Sequence, residues 1–486
     1  MKTIIIYLVL LSSITIHSQT QIGADINGEI GDGLGGSVSL SSDGETVAVG
    51  ATGYNSDTGL TRVYKKSAGD WVQMGNDIIG EAEIDRFGSS VSLSSDGTTL
   101  AIGAPGNDEN GNSAGQVRIY KFELGDWVQI GADINAEAIA NDFGWSVSLS
   151  ADGSILAVGA PNNHKSGSVF WSGHVRVYKN VSGVWIQMGD DIDGEAGSDY
   201  SGWSVSLSSD GSIVAIGARG NGENGINAGH VRVYKNISGV WIQMGDDIDG
   251  EAAGDYSGWS VSLSSDGATV AIGATLNDEN GNSSGHVRVY EFGSGVWAQV
   301  GDDINGKAAG DKSGHSVSLS SDGKIVAIGA IQTIGYEPGY VNVYMNISNV
   351  WTQIGVDIYV AGSNVGGFGY SVSLSSNANT IAIGTPSNSS NRGRLAVYDL
   401  TELYLNVSDH YLSENFTVFP NPVDNLLQMQ FTDNLEYKKA VIYNCFGQLI
   451  LQSDAKTIDV SDLRSGIYFL EVETNKGNSI KKIIKK

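Results

Sequence analysis

The sequence predicts an all-β fold, a seven-bladed β-propeller followed by a small Ig-like β-sandwich. Three observations predict it: a repeat every 53 to 58 residues, four strand-like segments in each repeat, and apolar residues spaced by two rather than by 3.6. Repeats of this length are typical of stacked supersecondary units. The string Ser-Val-Ser-Leu-Ser marks them, with its first serine at Ser37, Ser90, Ser146, Ser204, Ser260, Ser316 and Ser371.

Each repeat contains four short segments with strand character. In the second repeat these are residues 90–94, 99–104, 116–121 and 127–134. In the first segment valine and leucine alternate with serine, so a strand there has one bulky face and one small face. Seven units of four strands, packed bulky face against small face, indicate a β-propeller.

The last repeat lacks a fourth strand-like segment, and the beginning of the mature chain is predicted to supply it. The repeat that begins at Ser371 has three strand-like segments and then leaves the pattern. Residues 19–26 match residues 351–358, which hold the fourth strand of the preceding repeat. We therefore expect the N-terminal strand to close the last blade and to cover an edge of unpaired backbone groups.

Turn lengths divide the predicted propeller into two faces. Ser-Asp-Gly hairpins such as Asp96-Gly97 join the first and second strands, and short turns join the third and fourth. In an up-and-down sheet these turns share one end, so the long loops share the other. We expect this long-loop face to carry the function, because loops on a rigid scaffold usually hold the binding residues.

The chain divides into four segments. Residues 1–18 combine Lys2, an apolar run and a small or polar end, which is typical of a cleavable signal peptide. Residues 19–400 form the predicted propeller, 401–415 a linker, and 416–486 the predicted sandwich. No segment after the signal has the roughly 18 consecutive apolar residues of a membrane span. The single cysteine, Cys445, excludes an internal disulfide.

The charge of the chain is strongly acidic before the C-terminal segment. Residues 416–486 hold nine Lys or Arg and eight Asp or Glu out of totals of 28 and 54, so residues 1–415 hold 19 against 46, a net charge of −27. A field of this sign disfavours nucleic acid and anionic lipid and favours cations or basic partners. Solubility outside the cell is an alternative reason for it.

Candidate binding residues stand directly before each repeated serine, where the innermost strand begins. These positions hold Gly36, Ser89, Trp145, Trp203, Trp259, His315 and Tyr370. The five ring-bearing side chains could form an aromatic collar that stacks on sugars or on apolar side chains of a protein partner. Alternatively, they plug the mouth of the central channel.

Two acidic loops are candidates for calcium. They place oxygen ligands at alternate positions around a glycine, at Asp108, Asn110, Asn112, Asp278, Asn280 and Asn282. Turn formation alone also explains Asn and Gly at these positions. The predicted function requires no cofactor, and calcium is the ion that these loops could bind.

Other repeated residues indicate structural roles. The tryptophans that open the fourth strand predict packing between blades: Trp71, Trp127, Trp185, Trp241, Trp297 and Trp351. Three histidines, His174, His230 and His286, precede the third strand of successive blades; they are too far apart to share one metal ion and suggest structural roles. An active site could lie where the repeat is broken, at Arg86, Lys165, Phe170, Trp171, Arg219, Lys307 and Lys312.

The repeats resemble the FG-GAP family of integrin-like propellers. The resemblance covers about residues 19–400 and is carried most clearly by Phe143-Gly144-Trp145-Ser146 and Val158-Gly159-Ala160-Pro161. It implies a propeller used in extracellular recognition. Integrin-type members often carry an Asp-rich calcium loop between these two strands, and here a Ser-Ser-Asp-Gly hairpin takes that place.

The C-terminal segment resembles the sorting domain of substrates of the type IX secretion system. The matching residues are Phe419-Pro420-Asn421-Pro422, Val441-Ile442-Tyr443-Asn444, Leu463-Arg464-Ser465-Gly466-Ile467-Tyr468 and the lysine-rich end. The resemblance implies passage through the periplasm and recognition of residues 416–486 by the secretion machinery. It also implies removal of this domain when the cargo is released or anchored outside.

Together these observations predict a non-catalytic, secreted or cell-surface propeller that binds extracellular glycans or proteins in adhesion or recognition. Catalysis needs different groups that converge at one place, whereas this chain shows repetition. The alternative is a secreted hydrolase that degrades polysaccharides on a propeller scaffold, with loop carboxylates as its acid and base.

Overall fold

The computed structural model describes residues 19–164, 170–333, 338–360, 367–386, 391–403, 416–431, 436–444, 448–474 and 477–486. They form two compact units, Thr20–Leu400 and one that holds Thr401–Lys486. The predicted signal peptide, residues 1–18, and most of the predicted linker, residues 404–415, lie outside the described residues. Within the described ranges no helix has the length and apolarity that a bilayer crossing needs.

The first unit begins with two short strands and continues with repeated sheets. The short strands are β1 Thr20–Gln21 and β2 Ile26–Asn27. Sheet 1 has β3 Leu34–Leu40, β4 Thr46–Ala51, β5 Leu60–Ser67, β6 Asp70–Gln73 and β7 Ile78–Ile79, with a four-residue helix α1 Tyr54–Asp57. Sheet 2 has β8 Ser90–Leu93, β9 Thr99–Ala104, β10 Gln116–Glu123, β11 Asp126–Gln129 and β12 Ile134–Asn135. Sheet 3 has β13 Ser146–Leu149, β14 Ile155–Ala160, β15 His174–Val181, β16 Val184–Gln187 and β17 Ile192–Asp193.

The following sheets repeat the same order. Sheet 4 has β18 Ser201–Leu207, β19 Ile213–Ala218, β20 His230–Ile237, β21 Val240–Gln243 and β22 Ile248–Asp249. Sheet 5 has β23 Ser257–Leu263, β24 Thr269–Ala274, β25 His286–Gly293, β26 Val296–Gln299 and β27 Ile304–Asn305. Sheet 6 has β28 Ser313–Leu319, β29 Ile325–Ala330, β30 Tyr340–Ile347 and β31 Val350–Gln353. Sheet 7 has β32 Ser371–Leu374, β33 Thr380–Thr385 and β34 Arg394–Asp399.

The N-terminal strands complete sheet 7. β1 pairs antiparallel with β34, with Thr20 opposite Asp399, and β2 pairs with the same strand, with Ile26 opposite Leu395. The outer edge of β34 is therefore covered by a segment more than 360 residues away in sequence. This is the position that the match between residues 19–26 and 351–358 predicts.

The first serine of the repeated string joins neighbouring sheets. In sheet 2 the hydroxyl of Ser90 donates to the carbonyl oxygen of Gly144, 2.8 Å away, in the segment before sheet 3. The same bond recurs from each sheet to the next. Sheet 7 closes the series, because Ser371 donates to the carbonyl oxygen of Gly35 in sheet 1 at 2.9 Å.

The second and third serines of the string have other partners. The hydroxyl of Ser92 accepts the backbone N–H of Leu149 in the next sheet at 2.9 Å, and this bond also recurs around all seven described sheets. The hydroxyl of Ser94 donates to Asp96 and accepts the N–H of Thr99, which fixes the Ser-Asp-Gly hairpin. The small face of the strand thus supplies directional bonds, while its valine and leucine supply apolar contact.

Two glycines of neighbouring sheets touch at the Phe-Gly and Gly-Ala-Pro segments. Gly144 has a φ of +88°, which favours glycine. Its carbonyl oxygen lies against Gly103 so closely that a Cβ on Gly103 would collide with it. Phe143 beside it is fully buried. The glycines of the Phe-Gly and Gly-Ala-Pro segments therefore allow the backbones of adjacent sheets to approach closely.

The tryptophans of the fourth strand pack between sheets, as predicted. The indole N–H of Trp241 in sheet 4 donates to the carbonyl oxygen of Met188 in sheet 3 at 2.7 Å. The equivalent bond recurs from Trp127, Trp185, Trp297 and Trp351. The indole N–H of Trp71 in sheet 1 donates to the carbonyl oxygen of Ile22 in the N-terminal segment at 3.1 Å. That segment therefore also contacts sheet 1.

The second unit contains two antiparallel sheets around one apolar core. Its strands are β35 Phe416–Phe419, β36 Leu426–Phe431, β37 Tyr437–Asn444, β38 Leu449–Ser453, β39 Thr457–Asp459, β40 Gly466–Thr474 and β41 Gly477–Lys485. One sheet has the order β35-β36-β39 and the other β38-β37-β40-β41. Buried residues of both, such as Phe416 and Leu470, share the core.

Candidate binding site

The structure brings the five predicted ring-bearing residues together in one continuous arc, the aromatic collar. Its members are Trp145, Trp203, Trp259, His315 and Tyr370. Neighbouring ring centroids lie 4.6, 5.3, 5.6 and 4.6 Å apart in that order. These distances are typical of direct aromatic contact. The interplanar angles of 43° to 54° show tilted rings, which present edges as well as faces.

Local backbone geometry places these rings at the beginning of the innermost strand. The ladder between the first and second strands shifts register between Ser201 and Ser204, and Trp203 lies in this bulge. The same shift surrounds Trp259 in sheet 5 and His315 in sheet 6. A β-bulge redirects a side chain away from the regular alternation, so in sheets 4, 5 and 6 the bulge sets the direction of the collar residue.

The rings of the collar differ in exposure and in polarity. Tyr370 is 41% exposed, whereas the three tryptophans and His315 are half-buried. Burial, with the nearby charge of Lys312, lowers the pKa of His315 to about 4. The imidazole is therefore neutral at pH 7, and its Nδ1 has no hydrogen-bond partner within the described ranges of the chain. The collar thus combines amphipathic rings with a buried polar nitrogen.

A guanidinium lies over the middle of the collar. The Cζ atom of Arg219 is 3.7 Å from the ring centroid of Trp203 and 5.1 Å from that of Trp259. It is 5.1 Å from the ring of Tyr200 and 5.3 Å from that of Tyr256. Four aromatic rings thus surround one cation, which is the geometry of cation–π contact. Burial lowers the pKa of Arg219, but an arginine stays protonated in a protein.

Aromatic contacts continue outward from this arginine. Trp171 stacks on Tyr200 with 6.2 Å between ring centroids and 13° between ring planes. Trp171 is 46% exposed and its neighbour Phe170 is 63% exposed. The structure therefore joins two positions that break the repeat, Trp171 and Arg219, to the predicted collar.

The collar is open on one side. In sheets 1 and 2 the equivalent positions are Gly36 and Ser89, and the hydroxyl of Ser89 donates to the carbonyl oxygen of Arg86. Because these residues are small, the arc spans five of the seven described sheets and leaves a gap over the other two. The site is a curved aromatic ledge rather than a complete ring.

The predicted calcium residues take part in loop contacts. Asp108 and Asp278 each accept a backbone N–H of their own loop, from Ser113 and Ser283 at 2.7 Å. The amides of Asn110 and Asn280 donate at 2.7 Å to carbonyl oxygens of the next segment, those of Ala136 and Gly306. The backbone carbonyl oxygens of Asn112 and Asn282 accept N–H groups of Ala140 and Gly310. Calcium binding there stays a prediction.

The sequence did not reveal that Arg219 is surrounded by rings. Arg219 occupies the position of Pro105 and Pro161 in the Gly-Ala-Pro segments, so the signal was a charged residue in place of proline. Tyr200 and Tyr256 stand three residues before Trp203 and Trp259, and both have a positive φ, of 55° and 58°. Such values are uncommon outside glycine and invite attention to a site.

Comparison with known families matches both parts of the chain. Residues 80–120, 192–234 and 248–290 match the FG-GAP repeat. Residues 417–486 match the secretion system C-terminal sorting domain. The chain contains FG-GAP repeats and ends in a type IX sorting domain. The sorting domain indicates export to the outer surface or the surroundings of the cell. A comparison with curated proteins finds no match.

Two solved structures resemble this chain in fold. A chain of Kuenenia stuttgartiensis hydrazine synthase aligns with a TM-score of 0.51 at 12% identity, over 77% of this chain and 97% of that chain. The WD40 repeats of RRP9 align with a TM-score of 0.48 at 13% identity, over 79% and 99%. At such identities the likeness to hydrazine synthase concerns the fold alone. The first unit is all-β, with repeated antiparallel sheets of four or five strands.

Proposed function

We propose that this protein is a non-catalytic recognition module, secreted or held at the cell surface, that binds glycans or proteins through the aromatic collar. The observation that carries the proposal is the continuous contact of five rings from five consecutive sheets, with Arg219 held over Trp203 and Trp259.

The chemistry of these groups favours binding. Aromatic faces stack on the apolar faces of sugar rings and on apolar side chains, while Tyr and Trp keep a polar edge for hydrogen bonds. The guanidinium adds several N–H donors in a fixed plane, which suits hydroxyl, carbonyl or carboxylate oxygens of a ligand. The exposure of Tyr370, Trp171 and Phe170 leaves this surface within reach of a large partner.

The hydrolase alternative has less support. Hydrolysis of a glycoside uses two carboxyl groups that flank the scissile bond. Among the described residues, the collar brings together aromatic rings and the Arg219 guanidinium, which suit binding and orienting a ligand.

The proposal includes a finer description of the fold. We take the first unit as a seven-bladed β-propeller over residues 19–400, closed by its N-terminal strands, and residues 416–486 as an Ig-like sandwich. Support comes from the two series of serine bonds that pass through all seven described sheets and return to the first. A parallel series of backbone bonds does the same, from Ser42 to Ser95 and onward until Ser376 donates to Ser42.

The test is a glycan and matrix-protein array probed with the full mature chain, with and without calcium. The double variant Trp203→Ala, Trp259→Ala should lose at least about tenfold in affinity for whatever the wild type binds, because buried aromatic anchors carry most of the energy of such interfaces. The variant Arg219→Gln should lose affinity most for ligands with carboxylate or sulfate groups.

Matched controls are Ile226→Ala and Val350→Ala, which remove exposed apolar side chains outside the collar. Their binding should equal that of the wild type. Unchanged binding by the double tryptophan variant, with an unchanged unfolding midpoint, would refute the role of the collar. Turnover of a polysaccharide by the purified wild type would support the hydrolase instead.

A further inference from the structure

Two buried histidines away from the collar make no well-oriented hydrogen bond to any residue that the structure describes. His230 begins β20 and His286 begins β25, and both residues are 0% exposed. In each imidazole Nε2 has no hydrogen-bond partner among the described residues, and Nδ1 makes no well-oriented hydrogen bond although it lies against an aspartate oxygen. A buried polar group without a partner costs roughly 1–3 kcal/mol. Each of these rings therefore needs an explanation.

Carboxylates from three separate segments converge on His286. Its Nδ1 is 3.4 Å from Oδ2 of Asp303 and 3.9 Å from Oε2 of Glu251. Glu279 completes a group of four ligand atoms that all lie within 4.8 Å of one another. Glu251 lies in the connection from sheet 4, Glu279 in the loop between β24 and β25, and Asp303 between β26 and β27.

The same group recurs one sheet earlier. Glu195, Glu223, His230 and Asp247 also place four ligand atoms within 4.8 Å of one another. Here Nδ1 of His230 is 3.3 Å from Oδ2 of Asp247. Two sheets therefore repeat one arrangement of three carboxylates around a buried imidazole.

Donors outside the group orient the carboxylates of the His286 cluster. Gln299 donates to Oδ1 of Asp303 at 2.6 Å, which leaves Oδ2 for the imidazole side. Arg288 lies 3.5 Å from Oε1 of Glu251, which leaves Oε2 for the same side. Such outer contacts are typical of metal ligands. Three carboxylates and one guanidinium leave a charge of −2, which one divalent cation would balance.

Sheet 2 supplies an internal comparison. At the position of His286 it has Gln116, whose side-chain amide nitrogen donates to Glu109 at 3.1 Å and to Asp133 at 3.2 Å. One amide nitrogen carries two N–H groups and can bridge two carboxylates, whereas an imidazole nitrogen carries one at most. Where the chain has glutamine, hydrogen bonds join the carboxylates. Where it has histidine, a single imidazole nitrogen cannot bridge them in this way.

We propose that the His230 and His286 clusters each bind one divalent metal ion of the zinc type, through the imidazole Nδ1 and carboxylate oxygens. Two ligand atoms on a tetrahedral zinc ion with bonds of about 2.0–2.1 Å lie about 3.3–3.4 Å apart. The separations of 3.3 and 3.4 Å between Nδ1 and the aspartate oxygens agree with this. An imidazole ligand favours zinc over calcium and magnesium, which prefer oxygen alone.

His174 in sheet 3 differs and is not part of the proposal. Its Nδ1 is 3.8 Å from Asp191, and both oxygens of that carboxylate accept hydrogen bonds from Arg176 at 2.8 Å. A guanidinium already occupies the place where a cation would bind.

The test uses the full mature chain, stripped with a chelator and titrated with zinc in competition with a chromogenic chelator. The wild type should bind two equivalents, His286→Gln one, and the double variant His230→Gln, His286→Gln none. Glutamine is the chosen substitute because Gln116 shows that the fold accommodates it. His164→Gln, which changes an exposed histidine outside both clusters, should still bind two.

A second readout is the midpoint of thermal unfolding. Zinc should raise it in the wild type and leave it unchanged in the double variant, and calcium should not replace zinc in either measurement. Undiminished zinc binding by the double variant, or no zinc binding by the wild type, would overturn the proposal. If a glutamine variant does not fold, Asp303→Asn keeps the side-chain oxygen that Gln299 contacts, and an unchanged stoichiometry in that variant would equally overturn it.

Discussion

At the scale of single residues, repetition in this chain reflects contacts that every sheet makes with the next one. The three serines of each string have three partners: a glycine carbonyl, a leucine N–H and the hairpin aspartate, whose place Asn377 takes in the seventh string. Each net hydrogen bond contributes about 1 kcal/mol. Their number, rather than the strength of any one of them, holds the sheets in register.

The glycine of the Gly-Ala-Pro segment gives a prediction at this scale. Gly103→Ala should lower the free energy of unfolding by at least about 1–3 kcal/mol, because the new Cβ would collide with the carbonyl oxygen of Gly144. Urea denaturation measures the loss. Gly293→Ala is the control, since a Cβ there meets nothing within 4 Å and its φ is not positive. Equal stability of the two variants would contradict the close approach of the backbones.

At the scale of elements, the N-terminal strands hold the two ends of the repeat unit together. β1 and β2 pair with β34, Asp25 contacts Arg394 at 3.0 Å, and the carbonyl oxygen of Ile22 accepts the indole N–H of Trp71. The segment thus contacts both sheet 7 and sheet 1. An uncovered edge of β34 would expose backbone groups to pairing with other chains.

Matched isoleucines test this closure. Ile22 is buried in the closing segment, and Ile354 is its counterpart after β31, within continuous chain. If the N-terminal segment is an integral part of the structure, Ile22→Ala and Ile354→Ala should each cost about 2–5 kcal/mol in unfolding free energy. A negligible cost for Ile22→Ala beside a large cost for Ile354→Ala would show that the segment is detached.

At the scale of the whole molecule, acid should destabilise the folded state in two steps. Burial lowers the pKa of His315 from 6.5 to about 4. Between pH 6.5 and pH 4 this histidine is therefore protonated in the unfolded chain and neutral in the folded chain, which destabilises the folded state. Hydrogen bonding from Ser264, aided by the backbone N–H of Ala268 and opposed by burial, lowers the pKa of Asp266 from 3.8. The pKa values of the hairpin carboxyl groups of Asp96, Asp152 and Asp210 are lowered too. Their stabilisation is present above pH 3.8 and is lost as the pH falls through their folded-state values.

The measurement is urea denaturation of the chelator-treated chain at several pH values. His315 alone should remove about 2 kcal/mol of unfolding free energy between pH 7 and pH 5, and the aspartates should add a steeper loss below pH 4. His315→Gln should reduce the first step, to which His174 and His286 also contribute because burial lowers the pKa of each to about 4, and should leave the second step unchanged. A stability that rises between pH 7 and pH 5 would show that the sign of this argument is wrong.

Much of the architecture was predictable from the sequence, because the same local pattern recurs in each of the seven repeats. Alternation of valine and leucine with serine predicts strands, Asp-Gly predicts hairpins, and the match between residues 19–26 and 351–358 predicts the closing pair. The collar positions also followed from their place before the repeated serine.

Only the tertiary structure decided what lies next to what. It brought Arg219 over Trp203, joined Trp171 to Tyr200, and gave His230 and His286 separate carboxylate groups. The partners stand between 7 and 52 residues apart in sequence, in loops and connections where the spacing varies. Local periodicity determines how a strand forms, whereas side-chain contact between loops depends on the packing of sheets against each other, and the pattern of one repeat does not contain that information.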